Sequence, residues 1–202
     1  MSRSQPYQPL LLRILHGIVA IVALGAIITS YWVYDVFDGR WLKLSLPRVN
    51  SMIDIHGTFG VMLFIVMPLF AIYAFYIGHK RLIQPDSFAK SLQFNKPISA
   101  YSFHRIVNTL MLIAVTWALI TGRLMQEKWL PSGDLDIIWY SLHLSSWVLL
   151  VLCLIAHIVM GLKVGGQRLL LSMMALKVRP NDTPQMWWQK FKTWQQQRGK
   201  DS

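Results

Sequence analysis

Four apolar runs, each long enough to cross a bilayer and each bounded by charge, constrain this chain more than any other feature. They extend from about Leu10 to Tyr34, Met52 to Gly78, Tyr101 to Met125 and Ile137 to Val164. Spanning the hydrocarbon takes roughly 20 residues of helix. No water reaches that layer, so each run must satisfy its own backbone as a helix. The pattern predicts an all-α membrane protein, an up-and-down four-helix transmembrane bundle over residues 1–178. A basic, Trp-rich tail over 179–202 follows. The first run is too long for a signal-peptide core and is expected to stay as a helix.

Charge supports this and removes other classes. Of 202 residues, 54% are hydrophobic and only 14% charged. The net charge of +11 alternates in density between the connections, with no soluble basic module to carry nucleic-acid binding. Arg3, Arg13, Lys80, Arg81, Lys90, Lys96 and Arg105 fall on one side, together with Lys163, Arg168 and the basic tail. The other side holds Arg40, Lys43, Arg48, Arg123 and Lys128, mixed with Asp35, Asp38, Asp54, Glu127, Asp134 and Asp136. By the positive-inside rule both termini are expected in the cytoplasm. In the tail, Thr183 and Pro184 suit a helix cap and first helical position. Trp187, Trp188, Phe191 and Trp194 recur among Lys190, Lys192 and Arg198, as in an amphipathic helix on the inner membrane surface or against a partner. The single cysteine, Cys153, excludes an internal disulfide and a covalently attached c-type haem; it reads as a small buried apolar residue.

The chemistry lies in the histidines: His16, His56, His79, His104, His143 and His157. Ionisable groups inside a membrane are costly and mark function. His143 and His157 stand fourteen residues apart in the fourth run. On a helix that spacing returns to within roughly 40° of one face and separates the rings by roughly 21 Å. With the termini inside, His16 lies at the inner depth and His56 at the outer, while the fourth span brings His143 to the outer depth and His157 to the inner. Two couples at matching depth follow, His16 with His157 and His56 with His143. Two imidazoles facing each other in a dry bundle suit the two axial positions of a haem iron. Gly17, Gly57, Gly60 and Gly161 beside them leave room for a flat macrocycle, or serve helix packing alone. A zinc site wants three or four converging donors, and a proton relay wants acidic partners that the spans lack.

At the inner end His104, Arg105 and Asn108 open the third span, with Arg13 nearby. They suit contacts to haem propionates or a quinone head group, or equally helix capping and lipid phosphate. His79 reads as a solvated residue at the inner end of the second span.

These residues resemble the prokaryotic cytochrome b561 family, the four-helix di-haem superfamily that includes cytochrome b subunits of Ni/Fe-hydrogenases. The similarity covers about the first 170 residues. It rests on Leu12-Arg13-Ile14-Leu15-His16, on His56 with Gly60, and on His143 with His157-Ile158. It implies two non-covalent haem b groups on His16, His56, His143 and His157, and electron exchange with a quinone pool. Partners would be membrane lipid, quinone and a redox protein or larger oxidoreductase complex. Alone, such a chain would act as a quinone-linked oxidoreductase, for example superoxide:quinone; in a complex it would be the cytochrome b subunit. The rival from another class is a small transporter or structural membrane protein whose histidines bind protons or metal.

Overall fold

A computed structural model describes residues 8–175, 178 and 182–198. Side chains at 190, 191, 194, 195, 197 and 198 fall outside that description, as do Arg3, Lys177, Arg179 and Lys200, so the tail's aromatic and basic face is only partly covered. Among the described residues the fold is entirely helical. The long helices are α1 (Leu10–Phe37), α2 (Met52–Tyr76), α4 (Pro97–Leu124) and α6 (Ile138–Met174). Shorter ones, α3 (Ser87–Ser91), α5 (Trp129–Ser132) and α7 (Pro184–Arg198), join or follow them.

The four long helices are apolar and long enough to cross a membrane, yet only 17–22% of each apolar window is buried. Ile21, Ile28, Phe64, Ile65 and Ile72 stand exposed. A soluble bundle would hide such side chains; here lipid is their solvent. Helix boundaries follow local rules. Pro97 opens α4, where its missing N–H costs nothing. At the end of α1, Gly39 takes φ 64° and its amide and that of Asp38 both donate to the Tyr34 carbonyl at 2.9 Å. The expected tail helix is present: Thr183 precedes α7 and its Oγ accepts from the Met186 amide at 3.4 Å. The expected stop of the fourth span at Gly165-Gly166 appears as a break inside α6, where Gly166 has φ 63° and ψ −171°.

The bundle divides into two close pairs, α1 with α2 and α4 with α6, while α1–α6 and α2–α4 touch far less. Gly25 explains the closeness of the first pair. A Cβ there would lie 2.3 Å from the Phe59 ring, so only glycine lets α2 seat that ring on α1. One buried cluster unites Val22, Leu63, Met67, Leu112, Val115 and Leu150; a second, toward the other end, unites Val33, Tyr34, Met52, Leu130, Tyr140 and Leu144.

Both ends of the bundle are tied by polar contacts. At the end carrying residues 38–51, fully buried Asp35 accepts from the amides of Leu44 and Leu46. Trp32 Nε1 donates to the Pro47 carbonyl at 2.9 Å, and Tyr140 Oη donates to Asp38 at 2.5 Å. At the opposite end the Leu10 amide donates to Asp182 Oδ2 at 2.6 Å, and Trp187 Nε1 to its Oδ1 at 2.9 Å. Buried Arg13 donates through Nη1 to the Ala175 carbonyl, and Arg81 Nη2 to Gln8 at 2.8 Å.

Candidate functional site

The histidines meet between the two helix pairs. His16 of α1 and His157 of α6 have ring centroids 6.0 Å apart, with planes inclined at 28°. His56 of α2 and His143 of α6 are likewise 6.0 Å apart, inclined at 67°. A metal–imidazole bond is about 2.0–2.1 Å, and the ring centre lies about 1 Å further, so two rings across one metal ion stand about 6 Å apart. Both pairs have that spacing. The helical rise between His143 and His157 puts the couples roughly 21 Å apart along α6.

A Cβ built on Gly17, Gly57 or Gly60 would meet nothing within 4 Å; Gly17 and Gly60 are half-buried, whereas Gly57 is exposed. Gly161 differs: a Cβ there would lie 3.2 Å from Leu170, because the chain turns at Gly166 and folds back. Its missing side chain makes room for Leu170, not for a macrocycle. Gly122 takes a related part, since a Cβ there would come within 3.0 Å of the His143 ring.

Each ring except His16 is held from behind. His157 Nδ1 lies 2.8 Å from Asn108 Oδ1 and 3.3 Å from His104 Nε2. His143 Nδ1 lies 3.0 Å from the Ala118 carbonyl and 3.1 Å from Thr121 Oγ1. His56 Nδ1 lies 3.2 Å from Thr29 Oγ1. His16 packs edge-on against Phe70 at 6.2 Å and makes no hydrogen bond among the described residues. No carboxylate touches the four rings among the described residues, nor is any group of three His, Cys, Asp or Glu placed there to hold a metal ion.

The remaining sequence candidates divide. His104 and Asn108 sit one turn apart on α4 and both face His157. Arg105 points elsewhere: its Nε donates to the Lys80 carbonyl at 2.9 Å, and its guanidinium lies 4.4 Å from the Tyr101 ring centre. Arg13 is buried against the segment after α6. His79 is exposed, and Cys153 is a buried free thiol. Thr29 and Thr121 escaped sequence reasoning. A threonine in an apolar helix ordinarily bonds its own preceding turn, and nothing local marks one that also touches a ring on the next helix.

The model for prokaryotic cytochrome b561 matches residues 7–175, the whole four-helix region with every residue of both histidine pairs. The chain belongs to the prokaryotic cytochrome b561 family. This family member is therefore a multi-pass membrane protein that carries b-type haem and serves electron transfer across the membrane. No curated protein and no solved structure matches the chain.

Proposed function

We propose that this family member binds two haem b groups, one between His16 and His157 and one between His56 and His143. Through them it moves electrons across the bilayer between membrane quinone and a second redox partner. The observation that carries this is the pair of 6.0 Å ring separations, with open space at half-buried Gly17 and Gly60. A haem held by each pair would supply reversible one-electron chemistry, with both imidazoles of the pair committed to its iron and no site left for substrate. The residues orient the ring nitrogens and exclude water and competing ligands; low dielectric and neutral partners keep the imidazoles as donors.

The family supports a prokaryotic plasma membrane, and the distribution of Lys and Arg supports both termini inside, making His16/His157 the inner couple. Buried Arg13, one turn before His16, is a candidate for a haem propionate, and Arg105, which points away from His157, for lipid phosphate. The basic helix α7, with Lys192 lying 5.5 Å from the Trp188 ring, suits the inner membrane surface.

Reduced-minus-oxidised optical spectra with haem quantitation test the proposal. The expected result is two low-spin b-type haems per chain. His157→Ala is expected to leave one haem, and His143→Ala to leave the other. A colourless protein overturns the proposal in favour of a transporter or structural role, and a His157→Ala protein with two normal haems overturns that ligand. Oxidation of the reduced protein by a soluble quinone analogue tests the quinone step. Purification in mild detergent separates an enzyme acting alone from the subunit of a larger complex, which brings a stoichiometric partner.

A further inference from the structure

The second nitrogen of an imidazole decides what the first can do. A neutral ring that donates through Nδ1–H keeps its lone pair on Nε2, free to bind iron. On three of the four rings the residues behind Nδ1 point to this choice.

Asn108 is the clearest case. Its Nδ2 donates to the Arg81 carbonyl at 3.0 Å. A carbonyl only accepts, so the amide nitrogen must face Arg81 and the amide oxygen must face His157. His157 Nδ1, 2.8 Å from that oxygen, is then the donor. His104 Nε2 approaches the same nitrogen at the longer distance of 3.3 Å. Thr121 reaches the same result by another route. Its one hydroxyl proton goes to the Trp117 carbonyl at 2.8 Å, leaving a lone pair to receive His143 Nδ1–H at 3.1 Å. Thr29 repeats the arrangement, donating to the Gly25 carbonyl at 2.7 Å and receiving from His56 at 3.2 Å.

We infer that Asn108, Thr121 and Thr29 are positioning residues that fix the tautomer and donor strength of the axial imidazoles, and that Asn108 thereby sets the potential of the His16/His157 site. The inference rests on the two-haem proposal above. A stronger acceptor draws the Nδ1 proton outward, makes Nε2 a better donor to oxidised iron and lowers the potential; removing the acceptor does the reverse. The side chain of Asn108 can be replaced in both directions at nearly constant size. The outer rings are less exposed to such change, because His143 also keeps the Ala118 carbonyl at 3.0 Å.

The test is a redox titration of the full-length protein in detergent, with the His157→Ala protein identifying which potential belongs to which site. Asn108→Asp is expected to lower the inner potential and Asn108→Leu to raise it. Each should change the reduced-to-oxidised ratio by about tenfold at fixed applied potential, about 59 mV for one electron. The outer potential is expected to stay put in both. Thr121→Val is expected to raise the outer potential alone, by less. A merely structural role for Asn108 would not give shifts of opposite sign. Shifts of the same sign, or an inner ratio unchanged within about twofold, overturn the inference. If both Asn108 variants lose the inner haem, Thr121→Val decides, and an unmoved outer potential overturns it. A wild type that holds no haem defeats the parent proposal instead, so the two failures are distinct.

Discussion

Gly25 and Gly57 are glycines on neighbouring helices, and a single methyl group separates their roles. At Gly25 a Cβ would run into the Phe59 ring at 2.3 Å; at Gly57 it would meet nothing within 4 Å. Gly25→Ala is therefore expected to destabilise the protein by about 1–3 kcal/mol, the usual cost of overpacking, whereas Gly57→Ala should leave thermal unfolding nearly unchanged. At Gly60 the free space borders the proposed ligand, so Gly60→Leu should lower haem content while the helical circular dichroism persists. The ring angles carry a spectroscopic consequence. Crossed ligand planes share their π-donation between two iron orbitals and bring those orbitals closer in energy. The 67° couple is thus expected to give the more anisotropic low-spin electron paramagnetic resonance signal, and the 28° couple the more ordinary rhombic one. Two signals of equal anisotropy would contradict this.

The 38–51 connection shows how an element without regular structure is held. Its apolar side chains Trp41, Leu42, Leu44 and Val49 stay exposed, so its order comes from buried acceptors at the end of α1. Asp35 takes two of its amides. Asp35→Ala would leave those donors unpaired, at about 1–3 kcal/mol, and is expected to make the connection a site of rapid proteolysis. Asp38 adds a pH dependence. Burial alone raises its carboxyl, but hydrogen bonds from Arg40 and Tyr140 outweigh burial and hold the group below the usual carboxylate range. A depressed carboxyl contributes stability that is fully present above its unfolded-state value of about 3.9 and is lost as pH falls through the lower folded-state value. An acid-active protease should accordingly cut the connection increasingly below about pH 4, and Asp38→Asn should weaken that dependence. A connection cut equally at all acid pH values would refute it.

For the whole molecule, the division into two close helix pairs has a thermodynamic consequence. The two pairs touch each other little, and no side chain comes within 4 Å of where a Cβ would stand on Gly17 or Gly60. A ligand that binds only the folded state stabilises it in proportion to its affinity. Removing haem is expected to lower the unfolding temperature in detergent, and replacement with a metal-free porphyrin to restore only part of it. Equal unfolding temperatures for apo and loaded protein would mean that the space between the pairs is not the binding site. Topology makes a separate prediction at this scale. Reporters fused at the C-terminus and inserted in the 38–51 connection are expected on opposite sides of the membrane, the first inside.

The number, length and order of the spans were readable in one dimension, because hydrocarbon admits only closed backbone and each helix must be apolar throughout. The matching heights of His16 with His157 and of His56 with His143 were readable as well, since rise per residue and the alternation of direction place each along the bundle. Which faces meet was a different matter. Lipid is as apolar as the interior, so α1 or α6 carries no polar stripe to announce its rotation. Only the folded chain decided that α1 lies against α2 through Gly25, and that Gly161 yields its space to Leu170. The same holds for Thr29, Thr121 and Asn108, each set behind an imidazole of another helix. Those contacts join residues distant in sequence, and their geometry depends on helix rotation, which hydropathy does not encode.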